Sequence, residues 1–219
     1  MAETAEAAEA VDLTAFIHRL GSNSPTPGGG AAVAYAAALG AAAVAKVVAV
    51  SVGKPKYAAH EDELQAHAAH LHALSGRCLT LAAEDEAAFA AFMSAYRLPK
   101  GTDEERAARA VAIEAGARGA AGVPLRLMAA CREVLDIAER VTVIGNPSAL
   151  GDCGAGAALA VAAMRTSMLN VTANVTLMKD AAEAMGYRQQ LRELYTNIEE
   201  REWKLIAAIR RRLLGEEDA

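Results

Sequence analysis

Apolar residues recur at steps of three and four along most of the chain, which is the pattern of amphipathic α-helices. Between Asp12 and Leu20, for example, Leu13, Phe16 and Ile17 would share one helix face with Leu20. Alternating runs of β-branched residues and Asn-Gly turns, which would predict strands, are almost absent. The sequence therefore predicts an all-α fold, a multihelical bundle.

Capping and breaking residues divide this pattern into about seven helices. Thr26 and Pro27 are typical of an N-cap and a first-turn residue, Pro99 ends a long helix, and Thr102 with Glu105 forms a capping box. Because no linker is long enough to separate two domains, residues 1–219 are predicted to form one domain, with the acidic, Ala-rich residues 1–11 as a disordered leader. The predicted helices span residues 12–20, about 26–52, 56–98, 102–122, 124–145, 152–180 and 187–214.

Composition narrows the class of protein. The 219 residues include 55 alanines and only 4% aromatic residues, which suits closely packed helices. A net charge of −5 argues against a nucleic-acid partner. The uncharged stretch from Leu20 to Ala45 is mostly alanine, so we interpret it as a core helix and predict no membrane partner. Three cysteines without a CxxC pair, and no signal peptide, predict a cytoplasmic protein.

The first segment with candidate chemistry is Ser24-Pro25-Thr26-Pro27-Gly28-Gly29-Gly30. Each helical glycine costs roughly 1 kcal/mol relative to alanine, so something must require bare backbone here. The first-turn N–H groups of a helix attract anions and acceptor atoms, and glycine would let a flat ligand lie against them. A close crossing of two helices is an equally good explanation.

Asp85 is the second candidate. It falls on the apolar series that contains Cys78, Leu81, Ala88 and Phe92, so its carboxylate is predicted to face inward. A buried acid needs partners or a raised pKa, and both are common at catalytic sites. A structural hydrogen bond or an exposed seam is the alternative.

Two lysines are ambiguous by spacing alone. Lys100 follows a helix end, where it could meet a carboxylate in a neighbouring pocket or simply complement the helix C-terminus. Lys46 lies inside an apolar helix and would either extend into solvent or find a buried partner.

Polar residues of the last third of the chain form another group. Asn146 and Asp152, in the segment GNPSALGD, are plausible N-caps. Asn170 and Asn174 lie four apart on one face of an otherwise apolar helix. Two amides on one face could pair with the edge of a heterocycle, or could bond to neighbouring helices.

No metal site is predicted. His60, Glu63, His67 and His70 have a spacing that superficially suits metal ligands, but their charged surroundings and the lack of a second ligand cluster favour an exposed face. The cysteines at 78, 131 and 153 have no nearby histidine, so a thiol nucleophile is unsupported.

Together and in this order, these segments resemble the cyclodeaminase/cyclohydrolase family of tetrahydrofolate enzymes. The resemblance runs from about Leu13 to Asp180. Its segments are SPTPGGG at 24–30, KPKY at 54–57, Asp85 through Phe89, AYRLPK at 95–100, VPL at 123–125, GNPSALGD at 145–152 and NVTAN at 170–174.

The resemblance implies an all-helical homodimer that acts on the one-carbon unit between N5 and N10 of tetrahydrofolate. Such enzymes convert 5-formimidoyltetrahydrofolate to 5,10-methenyltetrahydrofolate with release of ammonia, or interconvert the methenyl and 10-formyl forms. Both reactions need proton transfers, and the resemblance implies neither a metal nor a redox cofactor.

The resemblance also implies one folate pocket. We expect Asp152 to be the general acid or base, Asp85 to be the second choice, and Lys100 to lie near the glutamyl carboxylate or the reacting carbon. The expected substrate-binding residues are Ser24, Thr26, Pro27, Gly28, Gly29, Gly30, Asn146, Asn170 and Asn174.

One position departs from the family pattern. The family commonly has serine before the acid of the GNP segment, whereas this chain has Gly151. A lost hydroxyl beside an active carboxylate would change the hydrogen bonding that sets its pKa. A folate-binding or helical scaffold protein without this catalysis is therefore the alternative function.

Overall fold

The computed structural model describes residues 12–216 and contains helices and no strand in that range. The all-α prediction is confirmed, while the predicted leader, residues 1–11, lies outside the described residues. Short 3-10 turns cover Pro55–His60 and Pro147–Ala149. The helices are α1 (Leu13–Leu20), α2 (Gly29–Ala49), α3 (Glu61–Tyr96), α4 (Asp103–Ile144), α5 (Leu150–Val175), α6 (Ala181–Tyr195) and α7 (Ile198–Leu214).

Helices α2 to α5 form an antiparallel four-helix bundle in which each helix packs beside the next and α5 returns to α2. Ion pairs between α3 and α4 join early residues of one helix to late residues of the other, as in Glu63–Arg140 and Glu84–Arg126. Helices α6 and α7 cover α5 and α4. The buried core extends from Phe16 to Ile209.

Small residues allow α2 and α5 to approach closely. A Cβ atom placed on Gly40 would lie 2.8 Å from the carbonyl oxygen of Gly156, and one on Gly156 would lie 2.6 Å from that of Gly40. Either substitution would push the two backbones apart. Gly40 and Gly156 therefore allow this close crossing of α2 and α5.

Three predicted helix boundaries are corrected. Pro124 does not start a helix but lies inside α4, and the predicted last helix divides at Asn197, whose φ of 60° is left-handed. The N-cap of α2 is Gly28, so Thr26 and Pro27 precede the helix. Where about seven helices were predicted, the first of them short, the described residues form six helices of fifteen or more residues and the eight-residue α1.

Within residues 12–216, two stretches have the length and composition of a membrane span, Gly29–Ala49 and Pro147–Val175. About half of each is buried inside the fold, 50% and 56% respectively. Core helices pass the same test, and the buried faces of α2 and α5 support that interpretation.

Candidate active site

A cavity of about 280 Å³ lies at the end of the bundle where α2 begins. All four bundle helices contribute to its wall. It is lined by Pro25, Gly28, Gly29, Gly30, Asp85, Phe89, Phe92, Ala120, Asn170, Ala173 and Asn174. The cavity thus joins three groups that the sequence singled out separately: the glycine segment, Asp85 and the asparagine pair.

Asp85 points into this cavity from α3 and contacts the first turn of α2. Its carboxylate accepts a hydrogen bond from the backbone N–H of Ala31, while Gly28, the N-cap of α2, makes no side-chain cap of its own. Burial raises the pKa of the Asp85 carboxyl group above its usual value, although the bond from Ala31 opposes the shift. The predicted inward orientation is confirmed, and both the structural bond and the raised pKa are present.

The three glycines of the segment have different surroundings. A Cβ atom on Gly30 would lie 2.5 Å from the carboxyl carbon of Asp85, whereas one on Gly28 or Gly29 would meet nothing within 4 Å. Gly30 therefore lets the carboxylate approach the helix terminus. Gly28 and Gly29 leave open space above the backbone, where a flat ring would fit.

Asn174 explains why Pro124 is tolerated inside α4. Proline has no N–H, so the carbonyl of Ala120, four residues earlier, loses its intrahelical donor. The Nδ2 of Asn174 donates to this carbonyl at 3.3 Å and to the carbonyl of Asn170 at 2.9 Å. With its amide donors used, Asn174 keeps its Oδ1 as the acceptor for a ligand.

Phe89 and Phe92 form an aromatic wall that the sequence analysis did not assign to the site. They follow Asp85 by about one and two helical turns, so they project from the same face of α3. The spacing of Asp85, Phe89 and Phe92, in steps of four and three, could have indicated from sequence that the two rings lie beside the carboxyl group. Sequence reasoning used Phe92 only as a marker of the apolar face.

A second polar group lies at the opposite end of the α2/α5 pair. The Nζ of Lys46 is 3.7 Å from Oδ2 of Asp152, whose side chain is 41% exposed. Asn146 serves this end structurally: its Oδ1 accepts from Ser148, its Nδ2 donates to Val50, and its backbone N–H donates to Ser51. Asn146 is thus a cap, as one of the two interpretations held, whereas Asp152 lies in the first turn of α5.

The expected single pocket is therefore divided within one subunit. From Gly30 to Lys46 the chain climbs about 24 Å along α2, and from Asp152 to Asn170 about 27 Å along α5, at 1.5 Å per residue. Asn146 and Asp152 do not line the cavity that contains Asp85. Sequence spacing could not show this, because it does not say which ends of two helices meet.

Lys100 is also outside the cavity. Helices α3 and α4 continue past the start of α2, and Lys100 lies exposed in the loop at their tip. Tyr96, the last residue of α3, is already about 16 Å along the helix from Asp85. A lysine side chain cannot cover that distance within one subunit.

Three other expected cavity residues precede α2. Ser24, Thr26 and Pro27 belong to the loop before the helix, with the Ser24 hydroxyl donating to the carbonyl of Thr26 at 2.7 Å. This bond shapes the loop, and of the residues before Gly28 it is Pro25 that reaches the cavity wall. Ser24, Thr26 and Pro27 therefore belong to the loop before α2 and do not line the cavity themselves.

The group His60, Glu63, His67 and His70, whose spacing superficially suits metal ligands, forms ion pairs with α4. Glu63 pairs with Arg140 at 2.6 Å, and His70 pairs with Glu133 at 2.8 Å. The pairing with Arg140 lowers the pKa of Glu63 to about 2. Within residues 12–216, no group of three or more His, Cys, Asp or Glu side chains is arranged to hold a metal ion.

The three cysteines are buried and free. Burial raises the pKa of each thiol, for Cys78 to about 11. A thiol held in its neutral form is a poor nucleophile. These side chains serve as core residues.

A larger cavity, of about 760 Å³, lies between α4 and α6. Its charged groups are already engaged: Arg132 donates to the carbonyl of Glu193 at 2.6 Å, and Arg126 pairs with Glu84. The cavity beside Asp85 is therefore the better candidate for chemistry.

Comparison with known proteins gives a consistent assignment. The family model for formiminotransferase-cyclodeaminase matches residues 12–193. A methenyltetrahydrofolate cyclohydrolase of Methylorubrum extorquens is 40% identical over 83% of this chain and 86% of its own. The formimidoyltransferase-cyclodeaminase of Rattus norvegicus is 33% identical over 77% of this chain but only 31% of its own length.

A solved structure shares the fold. The crystal structure of a formiminotetrahydrofolate cyclodeaminase from Thermotoga maritima superposes with a TM-score of 0.80 over 95% of this chain and 98% of that one, at 22% identity. The matched fold agrees with the antiparallel bundle described above. The sequence segments, the fold and the family match together show that this chain belongs to the formiminotransferase-cyclodeaminase family.

Proposed function

We propose that the chain is a tetrahydrofolate one-carbon enzyme that binds the pterin ring in the cavity beside Asp85. The observation that carries the proposal is a carboxyl group with a raised pKa, held against a helix terminus in a cavity with open glycine backbone. The names of the relatives support the same substrate class.

Asp85 is proposed as the acid and base. In the deamination, N10 attacks the formimidoyl carbon and the bond from that carbon to the leaving nitrogen breaks. In the hydration, water attacks the methenyl carbon and the bond from that carbon to N5 breaks. A protonated Asp85 would give its proton to the departing nitrogen in either reaction, and its carboxylate would take one from the attacking group.

The other cavity residues are proposed to orient the ring. The flat pterin would lie over Gly28 and Gly29, with Phe89 and Phe92 beside it. The free Oδ1 of Asn174 suits the amino and N–H donors on the pyrimidine edge of a pterin. Asn170 lines the same wall and can pair with the remaining edge.

Of the two reactions, cyclohydrolase activity is the first choice. The relative named as a cyclohydrolase matches most of both chains, whereas the rat bifunctional relative is matched over about a third of its length. Cyclodeaminase activity is retained as the second choice, since it passes through a tetrahedral centre at the same carbon. Neither needs a metal or redox cofactor, and we propose that none is used.

A homodimer in the cytoplasm is the proposed form of the protein. The free thiols support a reducing compartment, and the uncovered apolar faces of α2 and α5 support a partner subunit. No nucleic acid or membrane is proposed as partner.

The test supplies purified protein with 5,10-methenyltetrahydrofolate and with 5-formimidoyltetrahydrofolate in separate assays. Disappearance of methenyl absorbance with formation of the 10-formyl product supports the hydrolase, and release of ammonia with methenyl formation supports the deaminase. Folate binding without either product would favour the alternative, a folate-binding or scaffold protein. A protein that neither binds these folates nor converts them would refute the proposal.

A further inference from the structure

Helix α7 has one face on the core and the opposite face uncovered. Its buried residues, Ile198, Leu205 and Ile209, lie on the side that packs on α5 and α4. The opposite face carries Trp203, whose exposed fraction of 72% is the largest among the large apolar residues in the described part of the chain. Tryptophan is enriched at protein interfaces, where it acts as an anchor in a pocket of the partner. A partner for this face therefore needs a place that receives the indole ring.

The uncovered face has the spacing of a coiled-coil seam, with alternating steps of three and four residues. Glu200 and Arg210 lie five residues before and after Leu205. Trp203 and Ala207 lie two residues before and after it. A two-fold axis at this level, relating two antiparallel α7 helices, would therefore place Glu200 of one beside Arg210 of the other. The same axis would place Trp203 beside Ala207. This outer face of α7 consists of Glu200, Trp203, Ala207, Arg210 and Leu214.

The charges of α7 are divided in a way that suits an antiparallel contact. Glu199 and Glu200 lie in its first turn, whereas Arg210 and Arg211 lie near its end. Both arginines are exposed and form no ion pair with another residue of 12–216. Glu200 pairs with Lys204 at 2.6 Å, but both side chains are more than half exposed, so this pair leaves Glu200 accessible. In an antiparallel pair, the acidic end of each copy lies beside the basic end of the other.

A depression beside Ala207 is placed to receive the indole ring. It has a volume of about 220 Å³ and is lined by Ala207, Arg210, Arg211, Leu214 and Glu216. Side chains of a helix lean toward its own N-terminus, so Trp203 of an antiparallel copy leans toward the C-terminal end of the first helix. That direction leads from Ala207 into the depression. There the ring would meet two guanidinium groups, which bind favourably to aromatic faces.

We propose that the outer face of α7 binds a second copy of this chain, with the two α7 helices antiparallel about a two-fold axis at the level of Leu205. Each copy inserts its Trp203 beside Ala207 of the other, and Glu200 of each pairs with Arg210 of the other. The inference goes beyond the proposed folate chemistry and is independent of it, because none of these residues lines the cavity beside Asp85. Together with the homodimer proposed through α2 and α5, this contact would join dimers into a larger assembly.

The contact is expected to be weak and to depend on concentration. Helix α7 has 17 residues and spans about 24 Å, so one pair of these helices belongs to the class of small, transient interfaces. An acidic peptide or an anionic lipid surface fits this face less well, because Glu199 and Glu200 would repel it. A second copy matches both charged ends at once.

Fluorescence of Trp203, the one tryptophan of the chain, reports directly on this contact. As the protein concentration is raised, the emission should shift to shorter wavelength and quenching by acrylamide should decrease, because the indole ring leaves water. Emission that stays typical of a solvent-exposed indole up to about 1 mM, where even weak complexes form, would overturn the proposal.

Charge reversal identifies the partner as an antiparallel copy. Arg210→Glu places acids side by side in the contact, and Glu200→Arg places guanidinium groups side by side, so each variant alone should associate at least about tenfold more weakly than wild type. An equimolar mixture of the two variants restores opposite charges at both ends and should recover the association. Sedimentation equilibrium measures each association constant. Arg188→Glu, which makes the same charge change on the exposed surface of α6, is the matched control and should associate like wild type.

The outcomes separate a second copy from other partners. Recovery in the mixture supports the antiparallel pairing, whereas a mixture as weak as its components, or wild-type association of both single variants, would overturn it. A shift of the Trp203 emission that requires phosphatidylglycerol vesicles and does not follow protein concentration would assign the face to a lipid surface and overturn the pairing. Trp203→Ala should weaken association while circular dichroism shows unchanged helical content, because the side chain is exposed in one copy.

Discussion

The two ends of the α2/α5 pair carry the same residue type in opposite settings. At the start of α2, Asp85 is held against a helix terminus in a cavity, and burial raises the pKa of its carboxyl group. At the far end, Asp152 is 41% exposed and lies 3.7 Å from Lys46. A carboxyl group that stays protonated closer to neutral pH is suited to proton donation, so environment rather than motif favours Asp85 as the acid.

The largest expected effect comes from Asp85→Asn. The amide keeps the shape and can still accept from Ala31, but it cannot transfer a proton, so turnover should fall on the order of 100-fold to 10,000-fold. Steady-state kinetics with both folates measures the loss. Turnover within threefold of wild type would contradict the assignment.

The same substitution should leave stability unchanged or increased. Because the folded pKa of Asp85 is raised, the folded state binds more protons than the unfolded state from pH 3.8 up to that raised pKa, and the free energy of unfolding decreases as pH rises through this window. Above the raised pKa of Asp85, the free energy of unfolding stays at the lower value. Urea unfolding at several pH values should show this component in wild type and not in Asp85→Asn.

Next in size is Gly30→Ala, compared with Gly29→Ala. The new methyl group at residue 30 would overlap the Asp85 carboxyl group and displace it, whereas at residue 29 it enters open space. A misplaced catalytic group can cost on the order of 100-fold in turnover. Gly29→Ala should act mainly on KM, and equal kcat values for the two variants would argue against the contact.

Leu39→Lys separates the interface from the cavity. The side chain is mostly exposed in one subunit, so helical content by circular dichroism should be retained. In the proposed homodimer the new ammonium group would be buried against the apolar face of the partner subunit without an opposite charge, so the dimer should dissociate. Sedimentation equilibrium measures the mass, and an intact dimer would contradict an interface on this face of α2.

The smallest effect is expected for Gly151→Ser, with Gly151→Ala as control. Both side chains fit, because a Cβ atom at residue 151 meets nothing within 4 Å. Both should stabilise α5, alanine by about 1 kcal/mol. If the serine hydroxyl that the family commonly has here changes the hydrogen bonding of Asp152, turnover should change severalfold in Gly151→Ser and not in Gly151→Ala. Identical kinetics for the two variants would show that the missing hydroxyl has no consequence for turnover.

Much of the architecture could be predicted because it is encoded locally. Helical periodicity gave the all-α fold and the inward face of Asp85, and the Thr102–Glu105 capping box starts α4 as expected. The boundary at Pro124 could not be predicted locally. The carbonyl that proline leaves unpaired is satisfied by Asn174, a partner 54 residues from Ala120 in sequence.

The site shows the same division between local and distant information. Residue types identified the glycine segment, Asp85 and the asparagine pair, which meet in one cavity. Asp152 and Lys100 carry equally suggestive types, but helix length places them far from that cavity in the same subunit. Spacing along one helix defines a shared face, whereas proximity between helices depends on packing order and on partner subunits.

A crystal structure with a bound tetrahydrofolate derivative tests the central claim most directly. We expect the pterin ring over Gly28 and Gly29, one of its edges paired with Asn174, and the one-carbon unit within hydrogen-bond distance of the Asp85 carboxyl group. A ring bound in the cavity between α4 and α6, or beside Asp152 with Asp85 out of reach, would contradict it.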